Sequence, residues 1–456
     1  MELNVGIFKA YDIRGLYGEE MDEGTAHAIG RAFVRVLSRL RDVPAGNLRV
    51  GLGRDMRLTA PKMAAELRDG MIFEGAHVVD AGMVATEMLY HLVGSRELDG
   101  GAMVTASHNP KAYTGVKLVR EGALPLSGDA GIAEVKAEIE AGLGEAPGGG
   151  ELEEVDIWDE YRAHALGFID PAAVKPMKVV VDGGNGMGGP MIGPILEKLP
   201  LELEKMYFEP NGEFPDHEPN PLLEENRRMI MDRVRSTGAD LGIAWDGDAD
   251  RCFFIDGSGE FCDGDFICAL LARSILAKNP GATILYDPRS SRAVPDLVAA
   301  EGGRSDLSRV GHAFFKARMR KEGAAFGGEV SGHYYFADFY NADSGTIPAL
   351  LILELLSTHD ATLSELLEPL RERYFISGEI NSTVADPDAK VAEIETRYGD
   401  GEITKLDGIS IDYDDWHFNV RPSNTELLLR LCLESLVSED DMRRRRDEVL
   451  AIIRAS

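Results

Sequence analysis

Apolar and polar positions along the chain alternate between two periods. Short apolar runs bounded by polar turns recur at 48–53, 77–80, 178–182 (KVVVD) and 283–287 (TILYD); longer stretches with helical spacing, such as 60–73, lie between such runs. Strands separated by helical stretches predict parallel α/β architecture. Three times such a strand enters a turn bearing Asp or Arg: GLGRD at 51–55, VVVDGG at 179–184 and ILYDPR at 284–289. Three times a later small or apolar strand enters a polar loop: GGAMVTASHNP at 100–110, ADLGIAWDGDADR at 239–251 and GAAFGGEVSGH at 323–333. The similar spacing within each pair predicts three copies of one α/β unit. Their loops fall at strand C-termini, where open α/β sheets place ligands. Alternating segments at 408–413, 416–420 and 426–433, then a charged helix at 439–454, predict a smaller α+β domain at the end. Glycine-rich 142–150, the turn at 257–259 and Pro369 after a helix divide the chain into expected domains 1–150, 151–256, 257–371 and 372–456.

Charge narrows the possible functions. Of 456 residues, 78 are acidic and 48 basic, a formal charge of −30. Nucleic-acid binders need a basic footprint, and polybasic membrane-surface proteins need the same excess, so neither partner is expected. An anionic small molecule stays possible, because the potential inside a cleft can oppose the net charge. No apolar run approaches the length of a membrane span, and the start MELNVGIFKAYDIRG has no signal-peptide pattern. Four scattered cysteines without a C-x-x-C pair read as reduced thiols, so a cytoplasmic protein is expected.

Five loops carry candidate chemistry. In Asp246-Gly247-Asp248-Ala249-Asp250-Arg251, carboxylates at alternate positions can converge on one hard cation, and the pattern suits magnesium. An EF-hand is excluded, because Arg251 stands at its sixth position and Gly257 at its twelfth. In TASHNP, Ser107 beside His108 reads either as a nucleophile or phosphate carrier or as a Ser/Asn/Pro turn, with Lys117 as a nearby acid or base. Arg421, Ser423, Asn424 and Thr425 in RPSNTE form a phosphate cradle or a polar hairpin turn. Glu329, Ser331 and His333 in GGEVSGH offer groups that read sugar hydroxyls, or a glycine-rich connection. Residues 184–189 match G-x-G-x-x-G, the fingerprint a nicotinamide-dependent dehydrogenase would need. Pro190 and Pro194 are expected to interrupt the helix that should follow, which favours a plain tight turn.

Together these loops resemble the α-D-phosphohexomutase family, most closely its bacterial phosphomannomutase/phosphoglucomutase branch. The motifs run in order along essentially the whole chain: FKAYDIRG (8–15), TASHNP, DGDADR, GEVSGH (328–333) and RPSNTE. The resemblance implies three similar mixed α/β domains and a C-terminal TBP-like α+β domain around a central cleft. It implies a mutase that interconverts hexose 1-phosphate and hexose 6-phosphate, with mannose or glucose as the sugar. By the same likeness Ser107 is a phosphoserine, and Asp246, Asp248, Asp250 and the Ser107 phosphate hold Mg²⁺. A hexose 1,6-bisphosphate is the intermediate and activator. Arg251 neutralises the phosphoserine, and Lys117 or His108 moves the proton. Glu329, Ser331 and His333 face the sugar, and Arg421, Ser423, Asn424 and Thr425 clamp the non-reacting phosphate. Arg14, Arg289 and His312 match basic cleft positions, and the excess acid is expected on outer faces. The sugar loop carries Val330, where dual-specificity relatives commonly carry methionine. Monomer and dimer are both open. A non-catalytic phosphosugar-binding protein is the remaining alternative.

Overall fold

A computed structural model describes residues 4–9, 11–127, 131–423 and 427–455. Two compact units emerge: Met1–Phe261 with Ser331–Asp360, and Cys262–Val330 with Ala361–Ser456. The architecture is three mixed α/β sheet domains and an antiparallel C-terminal domain.

The first sheet runs in the order Ile13–Leu16, Tyr113–Arg120, Gly100–Val104, Arg49–Arg54, His77–Met83, Leu152–Glu154. Its last four strands are parallel, and Tyr113–Arg120 turns back antiparallel against Gly100–Val104. Gly100–Val104 is buried throughout. A strand covered on both faces reads as a continuous small or apolar run rather than an alternating one. The loop after it therefore leaves from the core at a fixed place, and Tyr113–Arg120 returns beside it carrying Lys117. Leu152–Glu154, beyond the glycine-rich stretch, forms the sheet edge.

The second domain repeats the scheme. Leu201–Met206, Met177–Asp182 and Leu241–Trp245 are parallel, and Cys252–Asp256 returns antiparallel. The acidic loop 246–251 is the connection between the last two strands. The helix Gly188–Leu196 contradicts the expected interruption, because Pro190 lies in its first turn and Pro194 inside it. A first-turn proline loses no helical hydrogen bond. Pro194 leaves the Pro190 carbonyl without its N–H partner, and Arg162 Nη2 donates to that carbonyl at 2.8 Å. Pro369 likewise lies within the helix Leu363–Arg371 rather than after it.

In the second unit, Thr283–Tyr286 pairs in parallel with Arg304–Leu307 and Phe326–Gly328. The hairpin Tyr334–Phe336/Ala342–Asp343 belongs to the first unit. The C-terminal sheet is antiparallel, with Leu428–Ser435 bonded to Trp416–Pro422, Phe375–Ile376 and Ile380–Thr383. Leu429, Leu431 and Leu433 alternate inward along that strand, which is the two-residue period visible in the sequence. The Ser438 side chain caps the terminal helix Glu439–Arg454 at the Asp441 N–H. None of the four cysteines, all among the described residues, forms a disulfide. No helix among the described residues is long and apolar enough to cross a membrane.

Candidate functional site

In the first unit, Ser107 follows the buried strand Gly100–Val104 and adopts a left-handed backbone, φ 50°. A serine pays conformational energy for this, and the surroundings supply it. The Ser107 N–H donates to Thr105 Oγ1 at 2.9 Å. The fully buried guanidinium of Arg57 donates to the carbonyls of Ser107 (2.7 Å), Asn109 (2.6 Å), Pro110 (3.1 Å) and Tyr113 (3.2 Å). Four carbonyls on one side chain fix the loop's path. Arg14, on the strand Ile13–Leu16, donates to Asn109 Oδ1 of the same loop and to its own neighbour Asp12 Oδ2.

The acidic loop meets the serine directly. Ser107 Oγ donates to Asp246 Oδ2 at 3.0 Å, and His108 Nδ1 lies 3.3 Å from the same hydroxyl. A Cβ at Gly247 would stand 2.5 Å from the Ser107 carbonyl oxygen, so only glycine admits this approach. The G-x-G-x-x-G turn explains itself here. The Met187 N–H donates to the Gly247 carbonyl at 2.9 Å, and a Cβ at Gly186 would meet that oxygen at 2.5 Å. These glycines let the turn press against the acidic loop. Of the acids a dinucleotide site would use, Glu202 and Glu204 lie inside the strand Leu201–Met206 and pair with Lys178 and Arg233.

Asp246, Asp248 and Asp250 are buried, with carboxylate oxygens within 4.8 Å of one another. Arg251 Nε donates to Asp246 at 2.8 Å, Thr86 Oγ1 to Asp248 at 2.5 Å, and Lys117 Nζ to Asp248 and Asp250 at 2.6 and 2.5 Å. Burial works against charge on Asp248, but Lys117 outweighs it and holds the carboxyl below its ordinary range. Asp250, buried beside charged Asp248, is pushed up to about 6. Burial also opposes the Lys117 charge, yet the two aspartates keep it an ammonium well above its usual value. Burial, with Arg251 and Arg14 nearby, pushes the His108 imidazole well below its ordinary value. His333 packs at the edge of this group, with Nδ1 3.0 Å from Asp343 Oδ2 and 3.9 Å from Asp250 Oδ1. One oxygen each of Asp248 and Asp250 is buried without a hydrogen-bond partner. Orphaned buried carboxylate oxygens are costly, and an all-oxygen donor set of this kind fits a hard divalent cation.

The second unit holds the other expected residues. Arg289 grips Asp287 through Nε (2.9 Å) and Nη2 (2.8 Å), and its Nη2 lies 3.4 Å from Glu329 Oε2. Glu329 is buried and accepts the Gly311 N–H at 2.9 Å, one residue before His312 opens the helix His312–Glu322. Arg421 lies near the end of the strand Trp416–Pro422 and contacts Glu379, and the Ser423 N–H donates to the Leu428 carbonyl at 3.0 Å. Asn424 and Thr425 lie outside the described residues. Ser331 is half-buried at the start of the segment that belongs to the first unit.

The structure thus gathers Arg14, Ser107, His108, Lys117, Asp246, Asp248, Asp250, Arg251 and His333 in one unit, and Arg289, His312, Glu329 and Arg421 in the other. Sequence reasoning missed Arg57, Thr86, Asp343 and Glu379. Arg57, two residues beyond the GLGRD signature, was the most accessible of these. It also passed over His217, whose Nε2 lies 3.0 Å from Asp182 Oδ2 below the glycine-rich turn.

Comparison with known proteins matches this layout along the chain. Phosphoglucomutase/phosphomannomutase alpha/beta/alpha domains I, II and III match residues 5–143, 159–259 and 263–374, and the C-terminal domain of the same family matches 379–452. A phosphohexose mutase of Xanthomonas campestris pv. campestris (strain B100) is 42% identical over 451 residues, covering 98% of this chain and 99% of the relative. A phosphomannomutase of Escherichia coli (strain K12) is 44% identical over 439 residues, 94% of each. The crystal structure of a phosphoglucomutase/phosphomannomutase family protein from Burkholderia thailandensis superposes with a TM-score of 0.90 at 33% identity, over 100% of this chain and 99% of that one. With its acidic loop, its serine loop and all four domains matched in order, this chain belongs to the phosphoglucomutase/phosphomannomutase family, the α-D-phosphohexomutases.

Proposed function

We propose that Ser107 is the phosphoryl carrier through which this chain, a phosphohexose mutase, interconverts the 1- and 6-phosphates of a hexose. The observation that carries this reading is the Ser107 hydroxyl 3.0 Å from Asp246, at the edge of three converged carboxylates. Phosphoryl transfer needs positioning and charge neutralisation more than covalent assistance. In the first half-reaction a sugar hydroxyl attacks the phosphorus of phosphoserine 107. The P–Oγ bond breaks, and Ser107 Oγ takes up a proton as the hydroxyl loses one. In the second, Ser107 Oγ attacks the other phosphate of the bisphosphate, the sugar oxygen leaves, and a proton returns to it.

Asp246, Asp248 and Asp250 would hold Mg²⁺, which when bound withdraws charge from the transferring phosphoryl group. Arg251 and Lys117 are cations already fixed beside these acids, and they offset the roughly −1.5 to −2 charge of a phosphoserine. His108, neutral and 3.3 Å from Ser107 Oγ, suits exchange of the serine proton. Lys117, held as an ammonium, suits donation. Glu329, Ser331 and His333 read sugar hydroxyls. Arg421, Ser423, Asn424 and Thr425 take the non-reacting phosphate, and Arg289 and His312 add positive charge. Mannose and glucose differ only at C2, so a site that reads the 3- and 4-hydroxyls accepts both.

Intact-mass measurement tests the carrier. Purified protein treated with glucose 1,6-bisphosphate should gain one phosphate-sized adduct, and Ser107→Ala should lose both adduct and mutase activity. Full activity in that variant refutes the serine mechanism. A coupled assay with glucose 1-phosphate and mannose 1-phosphate tests the dual specificity, and turnover of only one sugar refutes it.

A further inference from the structure

One acid in the second unit has no part in the chemistry above. Glu379 precedes the strand Ile380–Thr383, and its carboxylate sits among three guanidinium groups. It lies 3.0 Å from Arg430 Nη1 and 3.4 Å from both Arg289 Nη1 and Arg421 Nη2. Arg421 and Arg430 face each other across the register of neighbouring strands, a placement where like charges repel unless an anion lies between them. Glu379 supplies that anion, and the three arginines hold it charged against partial burial.

The anion is undersized for its surroundings. The Nε donors of Arg421 and Arg430 are buried without a hydrogen-bond partner. Two of the three contacts, at 3.4 Å, are at the long limit of a hydrogen bond. Arg289 spends its shorter bonds on Asp287. A planar carboxylate on a tether cannot reach all these donors, whereas a tetrahedral phosphate presents oxygens in more directions.

We propose that Glu379 is a built-in competitor of the substrate phosphate: its carboxylate holds the arginine cluster of Arg421 in the free enzyme and gives way when a phosphate binds. This rests on the assignment of Arg421 to the phosphate clamp. A mutase must release one phosphate end of its intermediate and take up the other, so a clamp with a resident anion ready to return releases its ligand faster than a bare one. Glu379 is in this sense a positioning residue that sets clamp affinity.

Inorganic phosphate is the probe. Its competitive inhibition constant against hexose 1-phosphate is measured at fixed ionic strength, together with KM and kcat. Glu379→Gln, or the smaller Glu379→Ser should the first not fold, is expected to lower both the inhibition constant and KM about fivefold while kcat falls. Glu379→Asp, which restores a carboxylate, should move all three back towards the parent values. If Glu379 only props the arginines in place, its loss raises the inhibition constant and KM. A raised or unchanged inhibition constant in folded Glu379→Gln or Glu379→Ser overturns the proposal. Arg421→Gln separates the two readings. Weakened phosphate inhibition there, without tightening at Glu379, overturns the competitor alone. Unchanged inhibition in Arg421→Gln overturns the clamp and the competitor with it.

Discussion

Ser107 holds a left-handed backbone at φ 50°, and its hydroxyl donates to an aspartate 139 positions away. Ser107→Ala should reduce kcat roughly a thousandfold or more, since it removes the oxygen that takes the phosphoryl group. His108→Gln should lower kcat about a hundredfold with KM little changed, read from steady-state kinetics. An unchanged kcat there moves the proton-transfer role to Lys117. Asp248→Asn removes a charge that both Lys117 and Thr86 address, and turnover should fall by about two orders of magnitude. Circular dichroism should show the fold retained. The residues behind these predictions were legible because each motif is local: three acids at alternate positions, a serine at a strand end. Arg57 and Thr86 were not legible. Their partners are 50 and 162 positions away, and even Arg57's place beside the GLGRD signature does not specify those contacts.

At the scale of elements, the sequence pattern located most strands and helices but misjudged proline. Pro194 is expected to interrupt a helix and Pro369 to follow one, and both lie inside one. Local propensity weighs the lost hydrogen bond, while tertiary structure can replace it, as Arg162 does for the Pro190 carbonyl. Arg162→Ala should therefore cost about 1 kcal/mol in urea unfolding. The glycine-rich turn teaches the same lesson from the other side. Its G-x-G-x-x-G spacing matches a dinucleotide fingerprint, yet Gly186 is needed because Gly247 is pressed against it. Gly247→Ala places a Cβ 2.5 Å from the Ser107 carbonyl. The variant should lose about 1–3 kcal/mol of stability and most of its turnover, because the serine and acidic loops must part. Parent-like kinetics in that variant would show that the close approach is not needed.

At the scale of the whole molecule, the −30 charge looked like a property of the outer faces, with cations gathered within. The interior is acid-rich as well. Lys117, Arg251 and Arg289 are each paired with buried carboxylates. Burial is the main force raising two further acids, Glu87 and Asp265. Glu87 in the first unit is pushed up to about 8 by burial and accepts from Thr346 Oγ1 at 2.7 Å. Asp265 in the second is also pushed up to about 8 by burial and accepts the Ser291 N–H at 2.7 Å. In the folded chain both keep a proton that the unfolded chain releases near its ordinary carboxyl pKa of about 4. The folded state therefore binds more protons from about pH 4 to 8, and stability falls as pH rises through that window. Each group should contribute a slope of up to ~1.4 kcal/mol per pH unit. Urea unfolding from pH 5 to 8 should show this decline, and Glu87→Gln should flatten it. A decline as steep in the variant as in the parent would refute the Glu87 contribution.

The sequence by itself determined the repeated α/β plan, the loops that carry chemistry and the family, because hydrophobic period and short motifs are local and survive without knowledge of contacts. Tertiary structure alone decided which side chains complete each loop. Arg57 holds the serine loop, Lys117 bridges two aspartates, Gly186 backs Gly247, and Glu379 stands among three arginines. Each of these depends on groups distant in the chain being brought within about 3 Å by packing of buried strands, and no local pattern encodes that distance.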